Sequence, residues 1–187
     1  MNIVEEVQNV LYQCDFFSNP NQKLVVAVSG GPDSICLLDA LIKISANISF
    51  QIHVVHINHK LRKDESDMDE EYVQNYCKKL NVSFHSESID IPKFAKILKQ
   101  SIETTARTKR YEKLFQYCKN INSNFLVTAH NANDLVETVI MNFARGSGLR
   151  GLKGIVLERV IDDIKLIRPL INTQRKTIEA YLNQNDI

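Results

Sequence analysis

The residues whose types and spacing most clearly suggest chemistry are Ser29-Gly30-Gly31-Pro32-Asp33-Ser34. They lie between the apolar run Leu24 to Val28 and the helical pattern Ile35, Leu37, Leu38, Leu41, Ile42. Paired glycines let a chain turn tightly and approach a ligand with no Cβ in the way, and a helix start offers unpaired N–H groups and a partial positive charge. Pro32 suits such a start, where its missing N–H would have had no partner. Ser29, Gly30, Gly31, Pro32, Asp33 and Ser34 are therefore expected to hold an anion, phosphate above all. Asp33 would repel that anion unless a divalent cation stood between them, so Mg²⁺ is expected. Neither the spacing and Lys of a Walker A loop nor G-x-G-x-x-G is present. On its own, the stretch is also explained by a plain strand-to-helix turn with Ser29 or Asp33 as N-cap.

A second acidic group follows the run Asn124 to Thr128. Asp134 and Glu137, three residues apart, share one helix face. With Asp33 they could hold one Mg²⁺, or one acid could hold metal and the other an ammonium group. Asn133 and Asp134 could equally cap the helix. His56, Asn58 and His59, at the end of Gln51 to Ile57, either contact a nucleotide or are packed and solvated loop residues. Arg107, Lys109 and Arg110 form either a solvated face or a contact to phosphate or RNA. The loop Arg145 to Gly154, with its glycines and cations, suits phosphate or RNA. The acidic run Asp64 to Glu71 is a helix start rather than a metal site, because Tyr72, Val73, Tyr76, Cys77 and Leu80 continue a helical face.

These groups need a frame. The mostly apolar runs at 24–28, 51–57 and 124–128, together with 84–89, read as strands, alternating with helices at 3–14, after the glycine turn, 92–98 and 102–121. That alternation predicts an α/β fold, a Rossmann-like open, mostly parallel sheet with helices on both faces, in which strand carboxyl ends line the ligand crevice. Asp162-Asp163 is a turn between two short strands, and Asn172 is expected to cap a helix from Thr173 to Gln184. The chain has 187 residues and 44% hydrophobic content, which suits a single domain spanning 1–187. Nothing in it is apolar enough for a membrane span, and Glu5 and Glu6 argue against a signal peptide. Cys14, Cys36, Cys77 and Cys118 are widely spaced and read as reduced thiols, which suits the cytoplasm. A net charge of +1 gives no global nucleic-acid footprint, so RNA would need a local patch.

Ser29 to Ser34 matches the SGGxDS motif of the PP-loop ATP pyrophosphatases, and further segments narrow the resemblance. These are His56 to Arg62, Ser101 to Arg107 with Arg110-Tyr111, Ala129-His130 through Glu137-Thr138, Arg145 to Leu152, and Arg168-Pro169-Leu170. In this order and spacing the chain resembles the catalytic N-terminal domain of tRNA(Ile)-lysidine synthetases, whose members usually continue into helical and tRNA-binding parts. The resemblance implies an ATP-dependent carbon–nitrogen ligase with ATP, Mg²⁺, L-lysine and tRNA(Ile) with a CAU anticodon as its ligands; a homodimer is a further expectation. It places Asp33 and Asp134 on the metal. Ser29 to Ser34, His56, His59 and His130 fall on the nucleotide, and Asp33, Asp134, Glu137, Arg107, Arg110 and Arg168 in catalysis. The other readings are another adenylylating PP-loop enzyme, such as a tRNA thiolase, or a non-catalytic nucleotide-binding domain. A thiolase should show a cysteine pair, and no C-x-x-C occurs. Asn131-Ala132-Asn133 departs from the commonest pattern of a second His and an Asp ahead of Asp134, which removes one candidate metal ligand and leaves His130, Asp134 and Glu137 at their spacing.

Overall fold

The computed structural model describes residues 2–60, 63–144, 146 and 154–187. Six strands form one sheet: β1 Lys23–Ala27, β2 Gln51–Asn58, β3 Ser83–Ser88, β4 Phe125–Thr128, β5 Glu158–Ile161 and β6 Ile164–Ile167. Their order is β3-β2-β1-β4-β6-β5, all neighbours parallel except β5 against β6. Among the described residues seven α-helices accompany them: α1 Ile3–Gln13, α2 Pro32–Ser45, α3 Lys63–Lys79, α4 Ile91–Leu98, α5 Ile102–Asn120, α6 Ala132–Ala144 and α7 Arg175–Gln184. The expected mostly parallel α/β sheet is thus present, closed at one edge by an antiparallel hairpin. Asp162 and Asp163 both adopt positive φ at its tip (49° and 63°), the pattern of a type I′ turn.

Apolar runs without alternation make strands that are buried on both faces. In β1, Leu24 and Val26 pack with α1, α2, α3 and α7 on one side, while Val25 packs with Leu114 and Cys118 of α5 on the other. In β4 the same division holds, with Phe125 and Val127 on the first side and Leu126 on the second. A sheet covered on both faces leaves its strand ends as the place for a crevice. The last helix begins later than the sequence suggests. Gln174, not Asn172, is its N-cap, because the Thr173 N–H turns back to Leu170 O (2.9 Å) and its carbonyl accepts the Ala132 N–H (3.0 Å).

Candidate functional site

The site is built at the carboxyl ends of β1 and β4, which are hydrogen-bonded neighbours. β1 is paired on its other side with β2, and sequential strands leave β1 in opposite directions across the sheet, so a crevice opens beside it. After β1 the chain turns through Gly30, at φ +92°, and enters α2 with Gly31 at the N-cap position and Pro32 in the first turn. No side chain caps α2. Ser29 and Ser34 brace the loop from within, and neither Ser29 nor Asp33 serves as the cap. Ser34 Oγ donates to Gly31 O (2.8 Å) and accepts the Ser29 N–H (3.2 Å). The Gly30 and Asp33 N–H groups find no partner among the described residues, which leaves a helix N-terminus ready for an anion.

The loop after β4 is organised differently. Asn131 is fully buried, and its Oδ1 accepts the N–H groups of Asn133 (2.8 Å) and Asp134 (3.2 Å), while Asp134 Oδ2 accepts the Asn131 N–H (3.0 Å). This reciprocal cap makes Asn131, rather than Asn133 or Asp134, the start of α6 and fixes the Asp134 carboxylate. Asn133 Oδ1 instead accepts the Arg175 N–H (3.1 Å), tying α6 to α7.

Together these loops border a cavity of about 1010 Å³. Ser29, Asp33 and Ser34 line it from the glycine turn, His56 and His59 from the end of β2, Arg107 and Arg110 from α5, and His130, Asp134 and Glu137 from the β4 end. These ten residues, all singled out from sequence, thus share one space, and Asn58 lines it with them. Gly30, Gly31 and Pro32 form the turn without lining the cavity. Arg168 is set apart, 6% exposed, with Nη1 donating to Val156 O at 2.7 Å. Asn58 is spent on structure: its Nδ2 donates to Asp67 Oδ1 and Glu70 Oε2, each at 2.8 Å, which pins the acidic start of α3 to β2. The loop at 145–153 lies outside the described residues apart from Gly146, as do Leu61 and Arg62.

Asp69 was not singled out, yet it lines the cavity and lies against the phosphate turn; a Cβ placed on Gly30 would stand 3.5 Å from its carboxylate. The signal was available. Asp69 continues, one turn earlier, the stripe of Val73 and Cys77, which are both fully buried. An acid on a core stripe is out of place unless it meets something polar.

The electrostatics of the cavity are two-sided. Burial, with Arg110 and Arg168 adding to it, pushes His130 down to about 4, against the opposing pull of Asp134. Burial and Arg110 also lower His59. Both imidazoles are therefore neutral near pH 7, held so partly by a positive field that a polyphosphate would find favourable. Among the described residues Asp33 Oδ1 is buried without a partner, and Oδ2 meets only Arg175 Nη2 at 3.5 Å. An orphaned carboxylate oxygen beside a phosphate turn fits a hard cation. Among the described residues no group of three or more His, Cys, Asp or Glu is arranged to hold a metal by itself.

A glycine turn without a Walker lysine, feeding a helix at the switch point of a parallel sheet, defines a phosphate-binding α/β domain. The chain belongs to the PP-loop domain family, which it matches over residues 2–187. Its relatives carry a more specific description. It is 38% identical over 185 residues to the tRNA(Ile)-lysidine synthase of Clostridium tetani, covering 99% of this chain and 39% of that protein. It is 43% identical over 161 residues to that of Clostridium acetobutylicum, covering 86% of this chain and 34% of that one. The chain thus spans between a third and two fifths of the length of these relatives. Among solved structures, the U34-tRNA thiolase NcsA from Methanococcus maripaludis superposes with a TM-score of 0.80 at 18% identity, over 98% of this chain and 62% of that chain. The NH3-dependent NAD synthetase of Campylobacter jejuni gives 0.60 at 15%, over 100% and 75%. These two likenesses concern the fold alone.

Proposed function

We propose that this chain is the catalytic domain of an enzyme that ligates lysine to C2 of the wobble cytidine in the CAU anticodon of tRNA(Ile), with ATP as the activating substrate. The observation that carries the reading is the convergence of the uncapped phosphate turn, Asp33, Asp134, Glu137, Arg107 and Arg110 on one cavity. The relatives at 38–43% identity supply the substrate class.

The chemistry follows from what each group can do. Free N–H groups at the turn bind the β- and γ-phosphates of ATP, and Asp33 with Asp134 would hold Mg²⁺, which would offset charge on the phosphates. Cytidine O2 attacks the α-phosphate, pyrophosphate leaves, and Arg107 and Arg110 stabilise the equatorial oxygens. The ε-amine of lysine then attacks C2 of the adenylylated base and AMP leaves. That amine must be neutral to attack. Asp134 already accepts the Asn131 N–H, whereas Glu137 has no hydrogen bond or ion pair among the described residues. Glu137 is therefore assigned to the amine and its proton, and Asp134 to the cation. Arg168, being buried, acts on the field of the site rather than on the substrate.

A thiolase reading is disfavoured by the cysteines. All four are buried, and they stand at the end of α1 and on α2, α3 and α5 rather than in a pair. Buried, unpaired thiols also suit the cytoplasm. Among the described residues no helix is long and apolar enough to cross a membrane.

The test is release of labelled pyrophosphate and AMP from ATP with a CAU-anticodon tRNA(Ile), with and without lysine, for the wild type and Asp33→Asn and Asp134→Asn. Pyrophosphate release that needs the tRNA, with AMP release and transfer of lysine to RNA that need lysine, is expected, with both variants inactive. Turnover indifferent to lysine and responsive to a sulfur donor would overturn the assignment.

A further inference from the structure

Beside the cavity mouth, α4 turns a mostly uncovered surface to solvent. Ile91 and Ala95 are its buried residues, whereas Phe94 (37% exposed), Ile97 (65%) and Leu98 (43%) stand outward among Lys93, Lys96 and Lys99. Ile102, 50% exposed, carries the apolar strip onto α5. The turn between the helices is fixed, with Lys99 at φ 51° and its N–H closing on Ala95 O. Residues 90–110 hold six Lys and Arg against two carboxylates, in a chain whose total is +1. The remainder of the chain is therefore net negative, and this segment carries a net positive charge.

Lys93, Lys96 and Lys99 form no ion pair among the described residues. Lys109 pairs with Glu112 at 2.7 Å while its Nζ lies 4.9 Å from the Phe94 ring centroid, so ring and cation are presented together. The strip runs into the cavity, which Ser101, Thr104 and Arg107 line from the first turns of α5. Other helices at the cavity have the opposite sign: α3 exposes Asp67, Asp69 and Glu71, and α6 carries Asp134 and Glu137. Among the described residues, the favourable approach for a polyanion lies over α4 and the start of α5.

We infer that the α4–α5 junction docks a single-stranded RNA loop. Lys93, Lys96 and Lys99 hold its phosphates, Phe94 and its aliphatic neighbours receive an unstacked base, and the next nucleotide enters the cavity past Arg107. This rests on the reading of the cavity as one that adenylylates an RNA base. Continuity with the cavity favours RNA over an anionic membrane, which a basic amphipathic helix can also bind.

The experiment titrates a labelled RNA hairpin with a CAU loop against the wild-type chain, a Lys93→Ala/Lys96→Ala/Lys99→Ala triple variant and Phe94→Ala, from about 50 to 200 mM salt. ATP binding by calorimetry, melting temperature and binding to phosphatidylserine vesicles are followed in parallel. The triple variant should bind at least about tenfold more weakly at low salt and lose about 2 from the slope of log affinity on log salt, as three single-strand phosphate contacts require. Phe94→Ala should lose about tenfold with the salt slope unchanged, as for one stacked base. ATP binding and melting temperature should hold in both. Equal affinity and slope in the wild type and the triple variant would overturn the inference, as would a wild-type preference for vesicles over RNA. Failure of the wild type to bind ATP would sink the adenylylation reading, whereas intact ATP binding with an RNA affinity indifferent to Lys93, Lys96 and Lys99 would sink the docking surface alone.

Discussion

Gly30 is the residue on which the phosphate turn depends most closely. At φ +92° a side chain is strained, although its Cβ would meet the Asp69 carboxylate at 3.5 Å, an ordinary contact. Gly30→Ala should cost about 1–3 kcal/mol of stability and weaken ATP binding at least about tenfold. Denaturant melts and calorimetry check this, and unchanged ATP affinity would count against the turn as the phosphate site. His130 makes a prediction of a different kind. Its folded value of about 4 lies below the ordinary 6.5, so the unfolded chain takes the proton first. The stability this group contributes is complete above pH 6.5 and is lost as pH falls toward 4, at up to about 1.4 kcal/mol per pH unit. Between pH 7 and 4.5 the urea midpoint of the wild type should fall more steeply than that of His130→Gln; parallel curves would exclude the effect.

Elements decide where those residues point, and α6 shows this best. Asn131→Ala removes the acceptor for two N–H groups and the frame that holds Asp134. The loss should be about 1 kcal/mol, within the usual range for a cap and moderated because Asn131 Nδ2 is itself buried without a partner. Pyrophosphate release should fall further than stability does, since Asp134 would be free to turn; equal losses would mean that the cap only supports the helix. The strands and most helices were legible in sequence because their signals are local: continuous apolar runs, helical periodicity and paired aspartates at a hairpin tip. The start of α7 was not, because Thr173 gives its carbonyl to Ala132, a partner distant in sequence. The cap was misplaced for a similar reason. Asn131, Asn133 and Asp134 are all good caps by composition, and what separates them is that Asn133 is needed by Arg175. Asp69 was hidden by company, one acid among several at a helix start. Arg168 was legible as important yet not as buried, since its carbonyl partner on Val156 is set by the fold.

At the scale of the whole molecule, the four cysteines are spread over the core and report on its opening. Burial pushes Cys36 and Cys118 up to about 12 and Cys77 to about 11, and an unreactive, inaccessible thiol reacts only when its element comes away. Thiol labelling of the native protein should be slow at all four, should show four equivalents in denaturant, and should share one midpoint with the loss of circular dichroism. A fast-reacting fraction in native buffer would reveal a part of the fold that opens independently. The pairing of β1 with β4 has a consequence for how such a protein is made. The Ser123 hydroxyl bonds to the Lys23 carbonyl across 100 residues, and that strand pair brings together the phosphate turn and the Asp134 loop, which Arg175, later still in the chain, bridges through Asp33 and Asn133. A chain emerging from the ribosome therefore exposes Ser29 to Ser34 long before Asp134 exists to complete the site. Nucleotide cannot template the early half of folding; it can reward only the finished sheet, so ligand in the cell acts on this protein as a selector of completed molecules rather than as a guide to their assembly.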